Sequence, residues 1–333
     1  MTSGANQRFS VVRRIVGLCV TGLVVLAIGA GCGGKNEPAK PQQAKPVIQV
    51  CGSDTMVNLA QEWAQEYRKT RPDVSVEVSG GGSGVGINNL MKGLIAIANA
   101  SRDMPAAEKQ QAKANTGKDV VETIVAYDAI ALYVHKDNPI EQIAMPDLKD
   151  VYIEGGKTTK WSQLGVKLPE GSDQIVCVSR QNSSGTYQFF REHVLSKKDF
   201  RMGMQSMSGS KDVVDLVSKT LGGIGYSGMG YKTDAVRFVP VAAKKGEKAY
   251  MPAIESVREK TYPLARSLQM YTLGEPTGEV KAYIDWTLSP AGQAIVKKAG
   301  YIPMDAMKVP AGATATTAPA PAATTAPTTA ASK

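Results

Sequence analysis

Ser179-Arg180-Gln181-Asn182-Ser183-Ser184-Gly185-Thr186 stands between two runs of different pattern. Before it, Ile175-Val176-Cys177-Val178 is apolar and β-branched and reads as a buried strand. After it, Tyr187 to Leu195 reads as a helix. One Arg, several hydroxyls and a Gly therefore sit where a strand hands over to a helix N-terminus. The first N–H groups of a helix lack partners within it, and the helix dipole is positive at that end. Such a turn attracts anions, and a guanidinium fork fits phosphate or carboxylate. The same residues also suit an ordinary helix cap beside an exposed Arg, since Ser and Thr are preferred caps.

Two more turns repeat the pattern. Gly52-Ser53-Asp54-Thr55 lies between a strand ending at Cys51 and a helix from Met56. Gly80-Gly81-Gly82-Ser83-Gly84-Val85-Gly86 lies between a strand ending at Val78 and a helix near Asn88. Glycines let a backbone approach a bound group closely and take positive φ. Several such N-termini meeting at one point would replace the hydration shell of a small oxyanion with fixed donors. The glycine turn is not a nucleotide motif: it lacks the Lys-Ser/Thr ending of a P-loop and the spacing G-x-G-x-x-G. A fourth turn, Asn99-Ala100-Ser101-Arg102-Asp103-Met104, also follows a strand. Ser101 is a further candidate donor, and Arg102 with Asp103 reads equally as a surface ion pair.

The chain of 333 residues has room for about two domains. Its net charge is +9, and the first 31 residues contribute three Arg and no acid, so a mild basic excess persists beyond them. That suits an anionic ligand. No charge block or Arg/aromatic interleaving points to nucleic acid. Arg8, Arg13 and Arg14 precede an apolar run from Ile15 to Ala30 that is short for a spanning helix. With Gly29-Ala30-Gly31-Cys32 it reads as a signal peptide over 1–31 with Cys32 acylated as in bacterial lipoproteins. Residues 32–46 read as a flexible tether and 309–333, nearly all Ala, Thr and Pro, as a disordered tail. Cys51 and Cys177 lie in apolar runs and read as buried thiols, with a bridge between them as the alternative. His135 and His193 have no ligand-spaced partners, so no metal site is expected.

Between the tether and the tail, strands and helices alternate, which predicts an α/β fold with largely parallel sheet. Leu59, Ala60, Trp63, Ala64 and Tyr67 recur at helical spacing over Met56–Thr70, with Pro72 after the end. Val120 to Val134 is a long apolar stretch, and Gly222 to Ser227 a glycine-punctuated strand.

Taken together, these motifs resemble the PstS family, the phosphate-binding component of the phosphate ABC importer. The matching pieces are Gly52-Ser53-Asp54-Thr55, Gly81 to Gly86, Ile97 to Arg102, Arg180 with Ser184-Gly185-Thr186, Gly223-Ile224-Gly225-Tyr226, Tyr262-Pro263-Leu264-Ala265-Arg266, Ser289 to Gln293 and Gly300-Tyr301-Ile302-Pro303. The resemblance implies a type II periplasmic-binding fold, two α/β lobes joined by crossover strands and closing over phosphate. It places lobe I at 47–126 plus 231–308 and lobe II at 127–230. It carries phosphate contacts to Ser53, Asp54, Thr55, Ser83, Ser101, Arg180, Ser184, Gly185 and Thr186. It implies a monomeric, lipid-anchored extracytoplasmic receptor that serves permease subunits, with no cofactor and no chemical step.

Three positions depart from the family pattern. Ala96 and Arg102 stand where members carry an Asp near the Ser101 position, and Asn182 stands where some carry an Asp that pairs with the ligand Arg. Hydrogen phosphate has a proton to donate and sulfate has none, so a carboxylate in the site accepts one and repels the other. Asp54 and Asp103 are the remaining candidates, with Asp54 preferred because it stands in a donor turn. Other readings are a receptor for sulfate, molybdate or tungstate, or a phosphate sensor or adhesin on the same fold. A phosphate-ester hydrolase would need a nucleophile–base pair or metal cluster that the motifs do not supply.

Overall fold

The computed structural model describes residues 45–307. The expected signal peptide, Cys32 and nearly all of the tether, together with the tail, lie outside the described residues. Among the described residues no helix is long and apolar enough to cross a membrane.

The first half of the fold is built from strand–turn–helix units. Strand β1 (Val47–Gly52) leads to α1 (Val57–Thr70), β2 (Ser75–Ser79) to α2 (Ser83–Met91), and β3 (Ile97–Ala100) to α3 (Ala106–Thr116). β1 pairs in parallel with both β2 and β3. The periodic apolar face of α1 is buried as the spacing requires, and the Trp63 indole N–H donates to the Gly292 carbonyl at 2.8 Å. The glycine turn is shorter than the sequence suggests, because α2 already starts at Ser83 rather than near Asn88. Gly84 and Gly86 are therefore helical. Gly86 lets α2 lie directly on β1, where a Cβ would stand 2.4 Å from the Cys51 carbonyl oxygen.

β4 (Val120–His135) is a single strand of 16 residues. Beyond it come β5 (Ile143–Ala144), α4 (Met145–Tyr152), β6 (Val176–Arg180), α5 (Gly185–His193), β7 (Gln205–Met207), α6 (Ser210–Val217) and β8 (Gly223–Gly228). β6 runs parallel to β7 and β8, giving a second set of strand–turn–helix units. The chain ends with β9 (Val236–Val239), β10 (Val241–Ala242), α7 (Ile254–Arg258), β11 (Ala265–Leu273), α8 (Gly278–Leu288) and α9 (Pro290–Lys298).

β4 belongs to both halves. Val120–Ala129 ladders antiparallel onto β11, and Ile130–His135 onto β8 and β9. The strand order is β2-β1-β3-β11-β4-β8-β6-β7, with β9 also on β4. Two main cores follow. One gathers Trp63, Tyr67, Leu268, Met270, Tyr283 and Val296; the other gathers Trp161, Phe190, Tyr226, Val239, Val257 and Leu264.

The expected lobe boundary gives 231–308 to the first half. Residues 236–264 are paired and buried mainly within the second half. β9 ladders onto Leu132–His135 and β10 onto β5, and Val239, Val241, Val257, Tyr262 and Leu264 share a core with Cys177 and Phe190. The chain rejoins the first half at β11, through the ladder to β3 and β4. Cys51 and Cys177 are both free and buried, and burial pushes the Cys177 thiol up to about 11.

Replacing Gly86 by Ala should lower stability by roughly 1–3 kcal/mol, because the added methyl meets backbone that has no room to yield. Urea unfolding checks it: the midpoint falls while the slope stays unchanged. A midpoint equal to the parent's would mean that α2 shifts freely on β1.

Candidate functional site

Arg180 is the last residue of β6 and is 1% exposed. A buried guanidinium needs acceptors for its fork. Nη1 donates to the Ser210 hydroxyl at 2.9 Å; Nη2 donates to the Ser208 carbonyl at 2.9 Å and to Asp54 Oδ2 at 2.9 Å. Nε has no partner. Burial pushes the Arg180 pKa down, opposed first by the Asp54 charge, but a guanidinium stays charged in proteins. Asp54 comes from the turn after β1, 126 residues away in sequence. Its Oδ1 accepts the Gly81 N–H at 2.8 Å, and the side chain is 14% exposed. Gly80 leaves room for it, since a Cβ there would stand 2.5 Å from Oδ1.

Beside this pair the four turns meet. The Ser53 hydroxyl donates to Ser101 Oγ at 2.8 Å, and Ser83 and Ser101 hydroxyls lie 3.3 Å apart. The Ser101 N–H donates to Ser83 Oγ at 3.1 Å. Across the cleft, Thr55 and Thr186 hydroxyls share a hydrogen bond of 2.8 Å. Ser184 caps α5, its Oγ accepting the Thr186 and Tyr187 N–H groups. Gly185 follows at the first helical position, where a Cβ would stand 2.3 Å from Ser83 Oγ and 2.7 Å from Ser101 Oγ. Ser53, Thr55, Ser83, Ser101, Arg180, Ser184 and Thr186 are all buried. The two sides also touch through backbone: the Gly84 N–H donates to the Ser183 carbonyl at 2.9 Å, and the Ser183 hydroxyl to the Gly81 carbonyl at 3.0 Å. Gly82 makes that approach possible with φ of +95°, and a Cβ on it would stand 2.4 Å from the Ser183 carbonyl oxygen.

Every residue carried into the candidate set by the sequence thus lies in one cluster drawn from β1–α1, β2–α2, β3–α3 and β6–α5. Sequence reasoning missed Ser208 and Ser210, which hold the guanidinium from the turn before α6 and from its first residue. The signal was present, since Met207-Ser208-Gly209-Ser210 repeats the small hydroxyl-bearing turn between a strand and a helix. It also gave no role to Arg266, which joins the Thr55 hydroxyl and the Ser101 carbonyl to Asp128. The expected surface pair of Arg102 and Asp103 does not form between their side chains: Arg102 pairs with Glu108, and Asp103 accepts from Gln269 at 3.0 Å.

A PBP superfamily domain model matches residues 38–291. The phosphate-binding protein PstS of Pseudomonas aeruginosa is 34% identical, covering 81% of this chain and 88% of its own length. PstS of Bacillus subtilis is 32% identical over 85% of this chain and 92% of its own. The chain belongs to the PstS family. A substrate-binding protein of Clostridium perfringens, assigned to a phosphate ABC transporter and solved with bound phosphate, is 33% identical with a TM-score of 0.67, covering 77% of this chain and 99% of that one. The two-lobed periplasmic-binding fold follows from these matches.

Against the PstS pattern, the departures acquire a physical setting. Asn182 is exposed, and the carboxylate that meets Arg180 is Asp54, from the opposite side of the cleft. Asp103 is exposed and turned to Gln269, so of the two carboxylates the sequence left open only Asp54 stands beside the buried Arg.

Replacing Gly185 by Ala should weaken binding of inorganic phosphate by roughly tenfold or more, since the methyl enters the space of two donor hydroxyls. Isothermal calorimetry reads this directly. Unaltered affinity would mean that Ser83 and Ser101 are not held against α5.

Proposed function

We propose that this chain captures inorganic phosphate between its two lobes and delivers it to the permease of an ABC importer, without any chemical step. One observation carries the reading: a fully buried Arg180, bonded across the cleft to Asp54, stands beside hydroxyl-bearing turns converging from four strand–turn–helix units. Ser53, Thr55, Ser83, Ser101, Ser184, Gly185 and Thr186 supply neutral donors to the anion, and Arg180 supplies charge. Neutral donors suit a transported ion, because each bond is strong in a dry site yet carries no net charge that would hold the ion permanently. The lobes hinge where β4 and β11 pass from one core to the other, near Ala129 and Ala265. Ligand stabilises the closed form by its differential affinity for the two arrangements. Cys32, acylated after export, tethers the receptor outside the cytoplasmic membrane, and the basic excess favours approach of an anion.

Asp54 gives the site its preference for phosphate. A carboxylate has about four lone-pair positions. The Gly81 and Arg180 hydrogen bonds use two, which leaves room for the proton of hydrogen phosphate. Sulfate would meet the same oxygen with no proton to offer.

Arg180→Ala should weaken phosphate binding by orders of magnitude while the far-ultraviolet spectrum stays that of the parent; calorimetry with unaltered affinity would remove Arg180 from the site. Asp54→Asn should let sulfate compete with phosphate where the parent does not. Competition titrations in which sulfate fails against both proteins would take selectivity away from Asp54, and sulfate, molybdate or tungstate outcompeting phosphate on the parent would favour another oxyanion as ligand.

A further inference from the structure

Close to the site, β4 and β11 carry a buried ion pair outside the donor set. Asp128 and Arg266 are cross-strand partners in the register of those two strands. Their side chains are 0% and 2% exposed. Asp128 Oδ2 accepts from Arg266 Nε at 3.0 Å and Nη2 at 2.7 Å, and Asp128 Oδ1 accepts the Met229 N–H at 3.1 Å. Burial pushes the Asp128 carboxyl upward, with the guanidinium opposing it. A buried pair of this kind is weak evidence for stability, because apolar residues of similar volume often serve as well.

The free side of the guanidinium faces the cleft. Nη1 donates to the Ser101 carbonyl at 3.0 Å, and Nη2 donates to Thr55 Oγ1 at 3.3 Å. A hydroxyl has one proton to give and two lone pairs to offer. When Arg266 fills a lone pair of Thr55, the single O–H of Thr55 is kept off the guanidinium, on the side where Thr186 stands and where either hydroxyl can be the donor of the bond between them. The bond to the Ser101 carbonyl fixes the turn whose hydroxyl meets Ser53 and Ser83. The Arg266 guanidinium also lies 5.8 Å over the Phe189 ring of α5, on the opposite side of the cleft.

We propose that Arg266 is a positioning residue for the anion site: it sets the Thr55 hydroxyl as a donor and holds the Ser101 turn, while Asp128 balances its charge at the point where the strands cross between lobes. This rests on the phosphate-binding reading. Arg266 touches the donors rather than the ion, so its effect travels through Thr55 and Ser101. Lysine would keep the charge opposite Asp128 but lacks the planar fork that reaches three partners at once.

The test is a double-mutant cycle read by calorimetry with inorganic phosphate, using Arg266→Lys, Thr55→Val and the pair. Arg266→Lys should weaken binding roughly 10- to 100-fold. Thr55→Val should weaken the parent similarly but cost little further in the Arg266→Lys background, because the hydroxyl is then no longer oriented. Additive losses, or parent-like affinity in Arg266→Lys, would overturn the proposal. Should Arg266→Lys fail to fold, Asp128→Leu with Arg266→Met replaces the pair by apolar groups; a folded double variant that binds as the parent does would also overturn it. A parent protein that binds no phosphate would instead overturn the reading beneath, independently of Arg266.

Discussion

A guanidinium removed from water must find acceptors for its N–H groups and an opposite charge close by, or the fold does not form around it. Arg180 is in that position. β6 delivers it into the interior, the start of α6 and the turn before it supply a hydroxyl and a carbonyl, and the compensating carboxylate comes from the turn after β1. Satisfying one buried cation thus requires two distant segments to meet. The glycines around Asp54 are part of the same requirement: Gly80 clears the space for the carboxylate, and the Gly81 N–H fixes its second oxygen.

Around that pair the fold repeats one device. A strand ends, a few small residues turn the chain, and a hydroxyl stands near the point where the helix begins. Repetition matters because the donors then belong to rigid elements whose positions are set by packing elsewhere, such as Trp63 under α1 and Gly86 under α2. The hydroxyls of Ser53, Ser83 and Ser101 bond to one another, so each is already oriented by its neighbours. Preorganised donors of this kind need little rearrangement when an anion replaces water.

The strand–turn–helix units were legible because they are local: apolar β-branched runs, small residues, then helical spacing. The helix α3 left almost no trace, since Ala112 is its one buried residue and no apolar period exists to read. The return of the chain to the first half leaves little local trace for a different reason. β9 has only four residues, and its partner on β4 lies about 100 positions back, so nothing nearby signals which core it joins. Asp54 illustrates the same limit within the site. Its residue type suggested a role, but its pairing with Arg180 is a fact of tertiary structure, while Ser208 and Ser210 stand in a turn with a single glycine, a weaker local signal than the glycine-rich turns.

The contact between Gly82, Gly84 and Ser183 is made mostly of main-chain groups. Main-chain amides and carbonyls are the same whatever residue bears them. The seam between the lobes is consequently insulated from most sequence drift: substitutions nearby alter it only by adding bulk, not by changing its chemistry. A lineage could therefore recast the outer faces of both lobes, where a membrane partner would be met, and keep the same grip on its cargo.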